Sequence, residues 1–223
     1  MVNGMASYLD LSHPIRDGLV TYPGLPAPVI TDHLSREASR SRYAPGYEFH
    51  IGRIDMIANT GTYLDTPFHR FPGGHDLAGL DLARVVDLPA VVVDGAAEGP
   101  IRSSTFAGLD LAGRAVLVRT GWSRHWATEA YGDPSHPGLD GGAAAALVAA
   151  GVALVGIDSV NIDLTTTGER PVHTALLDAG IPVVEHLTHL DRLPAPPATF
   201  TFTAVPPAIE GMGTFPVRAF ATL

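Results

Sequence analysis

Short apolar runs, each bounded by Gly, Pro or Asp, recur along the chain and predict buried strands. The clearest runs cover residues 90–93, 115–118 and 153–157, and all three are rich in β-branched or aliphatic side chains. An Ala-rich stretch over 141–150 predicts a helix that ends at Gly151. The middle of the chain is therefore expected to combine buried strands with a flanking helix.

The later part of the chain continues this pattern. Residues 173–178 predict a second helix that stops near Gly180, and residues 181–185 predict the strand after it. Two further strands are predicted over 199–205 and 217–221. Strands outnumber helices and do not alternate with them, so we expect a mixed α/β fold with largely antiparallel sheets and flanking helices. Without a repeat or a clear boundary, the whole chain is predicted to form a single domain.

The charge of the chain argues against two classes of binding partner, nucleic acids and membrane surfaces. The 223 residues carry a net charge of −9, and no run of basic residues occurs. Because contacts to phosphates dominate nucleic-acid affinity, we expect no nucleic-acid partner, and the same lack of a basic patch argues against a membrane surface. The N-terminal residues lack a charged and apolar signal pattern, and no apolar window reaches the length of a membrane span. We therefore expect a cytoplasmic protein.

Two absences restrict the chemistry. The chain has no Cys, which excludes a thiolate nucleophile, a disulfide framework and a sulfur-ligated metal. It also has no Lys, because all 14 basic residues are Arg, so no Schiff base can form. His, Asp, Glu, Ser, Thr and Tyr remain, with or without a metal ion.

The stretch 59–69 carries the strongest chemical signal. Alternate side chains of a strand share one face, so four residues are expected to line up: Asn59, Gly61, Tyr63 and Asp65. Pro67 ends the strand, and a turn after it can return His69 to that face. The spacing alone fits a ligand site and an exposed strand face equally well.

Two other groups of polar residues follow apolar strands. The acidic stretch 156–163 is interpreted as turn and helix capping in preference to a site. His173 opens an apolar helix, and Glu185 closes an apolar strand, so the two can meet across a helix–strand pair. A Glu in that position needs a partner, because an isolated buried charge is costly.

Together these segments resemble the cyclase family, which includes bacterial kynurenine formamidase and isatin hydrolase. The resemblance covers nearly the whole chain, in family order, through residues 10–15, 22–24, 119–122, Trp126, 137–139, 156–158, His173, 176–177, Glu185, 187–188 and 216–219. It implies the swivelling β/β/α-like fold of that family. It also implies a homo-oligomer, either a homodimer or a homotetramer.

The hallmark of that family is His-x-Gly-Thr-His-x-Asp-x-Pro-x-His. Its first two His and its Asp bind zinc or manganese, its last His is an acid/base, and a distant His and Glu complete the metal site. By position, the resemblance makes Asp65, His173 and Glu185 metal ligands and His69 the acid/base. Asn59 and Tyr63 stand where the family has ligand His.

These two replacements change the expected metal chemistry. Asn oxygen is a poor zinc ligand, and Tyr ligates only after losing a proton from a group with a pKa of about 10. Two metals are therefore not expected, and three alternatives stay open. One divalent metal, zinc or manganese, can bind Asp65, His173 and Glu185; His50 can substitute as a ligand; or the site can be metal-free and use His69 and Glu185 alone.

The resulting hypothesis is a hydrolase for an amide, formamide or lactone bond of a small, aromatic metabolite. Metal-activated water attacks, His69 transfers protons, and Tyr63 with Asn59 stabilises the oxyanion. Candidates for an aromatic wall are Tyr22, Phe68 and Trp122. The alternatives are a lyase, dehydratase or cyclase for a small oxygenated metabolite, and a binding homologue without catalysis.

Overall fold

A computed structural model describes residues 6–95, 99–194, 198 and 200–223. The strands are β1 (Tyr8–Asp10), β2 (Val29–Leu34), β3 (Ile51–Asp55), β4 (Tyr63–Asp65), β5 (Leu88–Asp94), β6 (Pro100–Ile101), β7 (Ala115–Arg119), β8 (Gly138–Leu139), β9 (Leu154–Ile157), β10 (Val183–Glu185), β11 (Phe200–Thr203), β12 (Thr214–Pro216) and β13 (Phe220–Thr222). The helices are α1 (Arg36–Ser39), α2 (Gly141–Ala149) and α3 (Pro171–Asp178). None of the described helices is long and apolar enough to cross a membrane.

Nine strands form one mixed sheet in the order β1-β13-β11-β5-β7-β9-β10-β4-β12. The central neighbours β5, β7, β9 and β10 are parallel, and every other neighbouring pair is antiparallel. This arrangement confirms the predicted fold class. The parallel strands lie where the sequence has its unbroken apolar runs, as expected for strands buried on both faces.

The sheet separates two hydrophobic cores. Val92 of β5 and Leu117 of β7 enter the core that contains β11 and β13. Their neighbours Val93 and Val118 face the opposite side, where α2 and α3 cover the sheet. Side chains at successive strand positions point to opposite faces, so one apolar run serves both cores.

The sheet curls until its two edges are joined by a short segment of chain. Strands β12 and β13 lie toward opposite edges, although only residues 217–219 separate them. Within that segment, the Val217 N–H donates to the Thr62 carbonyl at 2.9 Å, and the Ala219 carbonyl accepts from the Leu11 N–H at 2.9 Å. The prediction of one strand over 217–221 is therefore wrong, because the chain crosses between the two edges there.

The other predicted elements need small corrections of their ends. Helix α3 begins at Pro171, two residues before the predicted start, since Pro suits the first position of a helix. Strand β10 begins at Val183, and β11 at Phe200. The predicted first residue of β11, Thr199, lies outside the described residues.

Strands β2 and β3 form a separate two-stranded sheet, with helix α1 in the connection between them. We call residues 29–55 the arm. Every residue of β3, and every residue of β2 except Leu34, is exposed. The arm thus lies outside both cores.

Candidate active site

Strand β4 provides two of the predicted site residues, Tyr63 and Asp65, and both are buried. The prediction of a longer strand beginning at Asn59 is wrong, because the chain turns at Gly61 with φ of +68°. A Cβ on Gly61 would lie 2.9 Å from the Ile15 Cγ1, so the turn also needs the missing side chain. Asn59 nevertheless lines the same cavity as Tyr63.

His69 is brought back toward Asp65 by the short 3₁₀ turn Pro67–His69, as predicted. Its Nδ1 lies 2.7 Å from the Oγ1 of Thr214, and that hydroxyl donates a hydrogen bond to the Asp65 Oδ1. Because the hydroxyl proton goes to Asp65, the His69 Nδ1–H donates to Thr214, and the Nε2 lone pair is free. Gly213 permits this approach, since a Cβ there would lie 2.2 Å from the His69 backbone nitrogen.

His173 lies in the first turn of α3 and is oriented by Asp163. The Asp163 carboxylate lies 2.6 Å from the His173 Nδ1 and accepts backbone N–H groups of Val172 at 2.7 Å and His173 at 3.0 Å. The Nε2 of His173 therefore faces the site, 3.6 Å from the Asp65 Oδ2 and 3.5 Å from the Glu185 Oε1. The predicted meeting of His173 and Glu185 across a helix–strand pair is confirmed.

Asp163 is a site residue whose second role the sequence did not indicate. Capping was the interpretation for the stretch 156–163, and Asp163 does bind the N-terminal amides of α3. Asp158 similarly accepts hydrogen bonds from Thr120 and Gly121. A carboxylate behind an imidazole fixes its tautomer and raises its basicity, so Asp163 also orients the Nε2 of His173 toward Asp65 and Glu185.

The antiparallel register places Glu185 of β10 opposite Tyr63 of β4. The Tyr63 hydroxyl donates to the Glu185 Oε2 at 2.6 Å, and the Ile162 N–H donates to the Oε1 at 2.6 Å. Tyr63 is also 3.3 Å from the Nε2 of His186, whose Nδ1 lies 2.7 Å from the Tyr131 hydroxyl. The proton of Tyr63 is therefore directed at Glu185.

Burial and neighbouring charges shift the pKa values of this cluster. Burial raises the pKa of Glu185 to about 7, against the opposing effect of His173. Burial alone would lower the pKa of His173, but Glu185, Asp163 and Asp65 together raise it to about 10. Burial also favours protonation of Asp65, yet His173 and His69 hold its pKa below the usual value. Without a metal ion, Asp65 is therefore ionised and His173 carries a proton.

Asp65, His69 and His173 offer ligand atoms that all lie within 4.8 Å of one another. The Asp65 Oδ2 is buried and has no hydrogen-bond partner among the described residues. A carboxylate with two imidazoles suits zinc or manganese, so these residues fit a divalent metal ion. Glu185, predicted as a ligand, is not one of these three residues, although its Oε1 lies 3.5 Å from the His173 Nε2. His50 lies in the arm, where its Nε2 is 2.7 Å from the Asp32 Oδ1.

The cluster opens into a cavity of about 260 Å³. Ten residues line it: Tyr22, Leu25, Asn59, Tyr63, His69, Arg70, Asn161, Arg170, His173 and Glu185. Of the predicted aromatic wall, only Tyr22 is among them. Trp122 is buried elsewhere against Tyr131 and Val160, where its ring N–H donates to the Tyr131 carbonyl at 2.9 Å.

Comparison with known proteins agrees with this architecture. A family model described as a putative cyclase matches residues 9–164. Kynurenine formamidase of Bacillus mycoides (strain KBAB4) is 28% identical over 215 residues, which are 96% of each chain. Kynurenine formamidase of Geobacillus thermodenitrificans (strain NG80-2) is 28% identical over 216 residues, covering 96% of this chain and 97% of the relative.

Solved structures show the same fold. A structure described as a potential metal-dependent hydrolase with cyclase activity superimposes with a TM-score of 0.79 at 25% identity, covering 97% of this chain and 98% of the other. An isatin hydrolase bound to the product analogue thioisatinate superimposes with a TM-score of 0.81 at 20% identity, covering 98% and 92%. Because the family model matches well over half of the sequence, this protein belongs to the cyclase family.

Proposed function

We propose that this protein hydrolyses an amide, formamide or lactone bond of a small aromatic metabolite with the help of one divalent metal ion. The observation that carries the proposal is the convergence of Asp65, His69 and His173 beside a cavity that both histidines line, with the buried Asp65 Oδ2 lacking a hydrogen-bond partner among the described residues. The relatives named kynurenine formamidase and the metal-dependent hydrolase neighbour support the reaction class. Tyr22 in the cavity wall suits an aromatic substrate.

The metal ion, zinc or manganese, would be held by Asp65, His69 and His173. When bound, such an ion lowers the pKa of a water molecule and polarises a carbonyl. The resemblance assigned Glu185 to the metal and His69 to proton transfer, and the geometry favours the reverse. His69 belongs to the group of possible ligands, whereas both Glu185 oxygens already accept hydrogen bonds.

Glu185 then accepts the proton of the attacking water and returns it to the leaving nitrogen or oxygen as the C–N or C–O bond breaks. It lines the cavity, and two donors fix its position. Its raised pKa, about 7 because of burial, makes it a stronger base than an exposed Glu at neutral pH. Tyr63 orients Glu185, and the Asn59 amide in the cavity wall donates to the negative charge that develops on the carbonyl oxygen.

Hydrolysis in ¹⁸O-labelled water tests this function against the alternatives. Formanilides, aryl lactones and small hydroxy acids are offered, and the products are identified by mass. We expect formanilides or lactones to be cleaved, with one solvent oxygen appearing in the released acid. Unlabelled elimination products would instead indicate a lyase. Ligands that raise the melting temperature without any turnover would indicate a binding protein.

We propose further that the protein is a homodimer or homotetramer assembled through the arm. A two-stranded hairpin alone is marginally stable, and large exposed apolar patches mark interfaces. The arm exposes a set of large apolar side chains: Val29, Ile30, Tyr43, Tyr47, Phe49, Ile51 and Ile54. Covering them with a second copy removes this surface from water.

Light scattering with size exclusion measures the assembly. We expect a mass of two or four times the 23.4 kDa chain. Ile54→Asp in the arm should shift the protein toward the monomer, because a charge would be buried in the interface. Leu82→Asp is the matched control, since Leu82 is also exposed but lies outside the arm. A wild-type mass of one chain would contradict the proposal.

A further inference from the structure

Two arginines lie where the active-site cavity meets a larger outer cavity. Arg70 and Arg170 line the inner cavity of about 260 Å³ and also the outer one of about 710 Å³. Arg170 directly precedes α3, and Arg70 directly follows the 3₁₀ turn that carries His69. Both arginines are therefore shared by the walls of the two cavities.

Both guanidinium groups have neutral partners. The Arg70 Nε donates to the Thr174 Oγ1 at 3.4 Å, and its guanidinium carbon lies 5.3 Å from the centre of the Phe71 ring. The Arg170 Nη1 donates to the carbonyls of Thr167 at 2.8 Å and Glu169 at 2.7 Å. Among the described residues, neither side chain has a carboxylate within 4.0 Å.

Among the described residues, four of the 14 arginines pair with an acidic side chain, in Arg40–Glu48, Arg114–Asp110, Arg119–Asp94 and Arg218–Asp10. Arg70 and Arg170 belong to the other ten. The chain has 23 acidic residues for 14 arginines, so acidic partners are abundant. What distinguishes Arg70 and Arg170 is their position, because both line the active-site cavity and so place two positive charges with neutral partners in its wall.

The unused donors of these arginines suit a carboxylate. A guanidinium has five N–H donors, so the Nη2 of Arg170 and both terminal nitrogens of Arg70 have N–H groups beyond the bonds described. Two parallel N–H groups bind a carboxylate in a bidentate pair, which is stronger than a neutral hydrogen bond. Glu169 and Asp178 also line the outer cavity, and they disfavour a multiply charged group such as a phosphate.

We propose that Arg70 and Arg170 form a subsite for the carboxylate of the substrate, an inference that rests on the hydrolase function proposed above. The substrate class is then an aromatic amide, formamide or lactone that bears a separate carboxylate. With its carboxylate at the two arginines, the scissile bond points inward to Asp65, His69 and His173. Two positive charges in the cavity wall favour an anionic substrate over its neutral counterpart, so the arginines determine which substrates bind.

The test compares matched substrates, an aryl formamide with a carboxylate and the same skeleton with a carboxamide. We expect wild-type kcat/KM to favour the carboxylate by about 30-fold or more, mainly through KM, and to lose this preference as salt increases. Arg70→Gln and Arg170→Gln should each reduce the preference about tenfold. Arg84→Gln is the control, because Arg84 also donates to a carbonyl, that of Gly180, but lines neither cavity.

A binding measurement separates this subsite from the hydrolase function. Calorimetry with a non-hydrolysable aromatic carboxylate and its carboxamide needs no turnover. Tighter binding of the carboxylate that weakens about tenfold in Arg170→Gln supports the subsite, even if no formamide is cleaved. The subsite is overturned by equal wild-type affinity for the two compounds, by no binding of either, or by equal kcat/KM for the two substrates. Cleavage of both substrates would still support the hydrolase function.

Discussion

Replacing Asp65 by Ala is expected to remove the bound metal ion and to lower kcat/KM about 10⁴-fold, which corresponds to about 5 kcal/mol of transition-state stabilisation. Asp65 is fully buried, and its Oδ2 has no partner among the described residues, so its negative charge is the natural counterpart of a cation. Elemental analysis and formanilide turnover, measured on the same preparation, report the two losses. Both should occur together.

Two further variants make this result interpretable. Asp65→Asn keeps the size of the side chain and an acceptor for the Thr214 hydroxyl, so it tests the charge with the packing preserved. Asp110→Ala is the matched control, because the Asp110 side chain is 82% exposed and its one ion pair within the described part of the chain is with Arg114. Circular dichroism verifies folding. Retention of metal and turnover in Asp65→Asn would show that Asp65 is not a ligand.

Replacing Glu185 by Gln is expected to lower kcat by a factor of about 10² to 10⁴ while the metal content stays unchanged. The amide has nearly the same shape and still accepts the Ile162 N–H, but it cannot take a proton from water. In contrast, His69→Ala should lose the metal ion, because His69 belongs to the ligand set with Asp65 and His173. Metal content distinguishes the two roles.

Tyr63→Phe is a second test of Glu185 as the base, because it changes the pKa of Glu185 and leaves the carboxylate in place. It removes the hydroxyl that donates to Glu185, a bond that holds the pKa of this carboxylate down. Glu185 then has a still higher pKa, and since the base form exists only above that pKa, the acidic limb of the kcat profile should move to higher pH. Loss of metal in Glu185→Gln with retention in His69→Ala would restore the assignment drawn from the family resemblance.

The central strands are predictable from the sequence because their pattern is local. Strands β5, β7 and β9 are buried on both faces, so each appears as an unbroken apolar run whose ends fall within two residues of the prediction. The break between β12 and β13, in contrast, has no local pattern that predicts it. It depends on closure of the sheet around residues 217–219, which no local pattern of side chains reports.

The site is predictable in its residues but not in its contacts. The resemblance identified the family and drew attention to Asp65, His69, His173 and Glu185. The fold brings these four residues together: His69, His173 and Glu185 line one cavity, and the Asp65 Oδ2 lies 3.6 Å from the His173 Nε2. The partner of each group was not predictable. Tyr63 reaches Glu185 only through the antiparallel register of β4 and β10, which joins positions 122 residues apart.

The metal content of the wild-type protein, purified without chelator or affinity metal, tests the central claim most directly. Elemental analysis should be done at pH 8 or above, because a metal ion must displace the proton that His173 holds with a pKa of about 10, so affinity rises with pH. We predict about one equivalent of zinc or manganese per chain. Formanilide cleavage by protein that binds neither metal, even after incubation with both, would contradict metal-assisted hydrolysis at Asp65, His69 and His173.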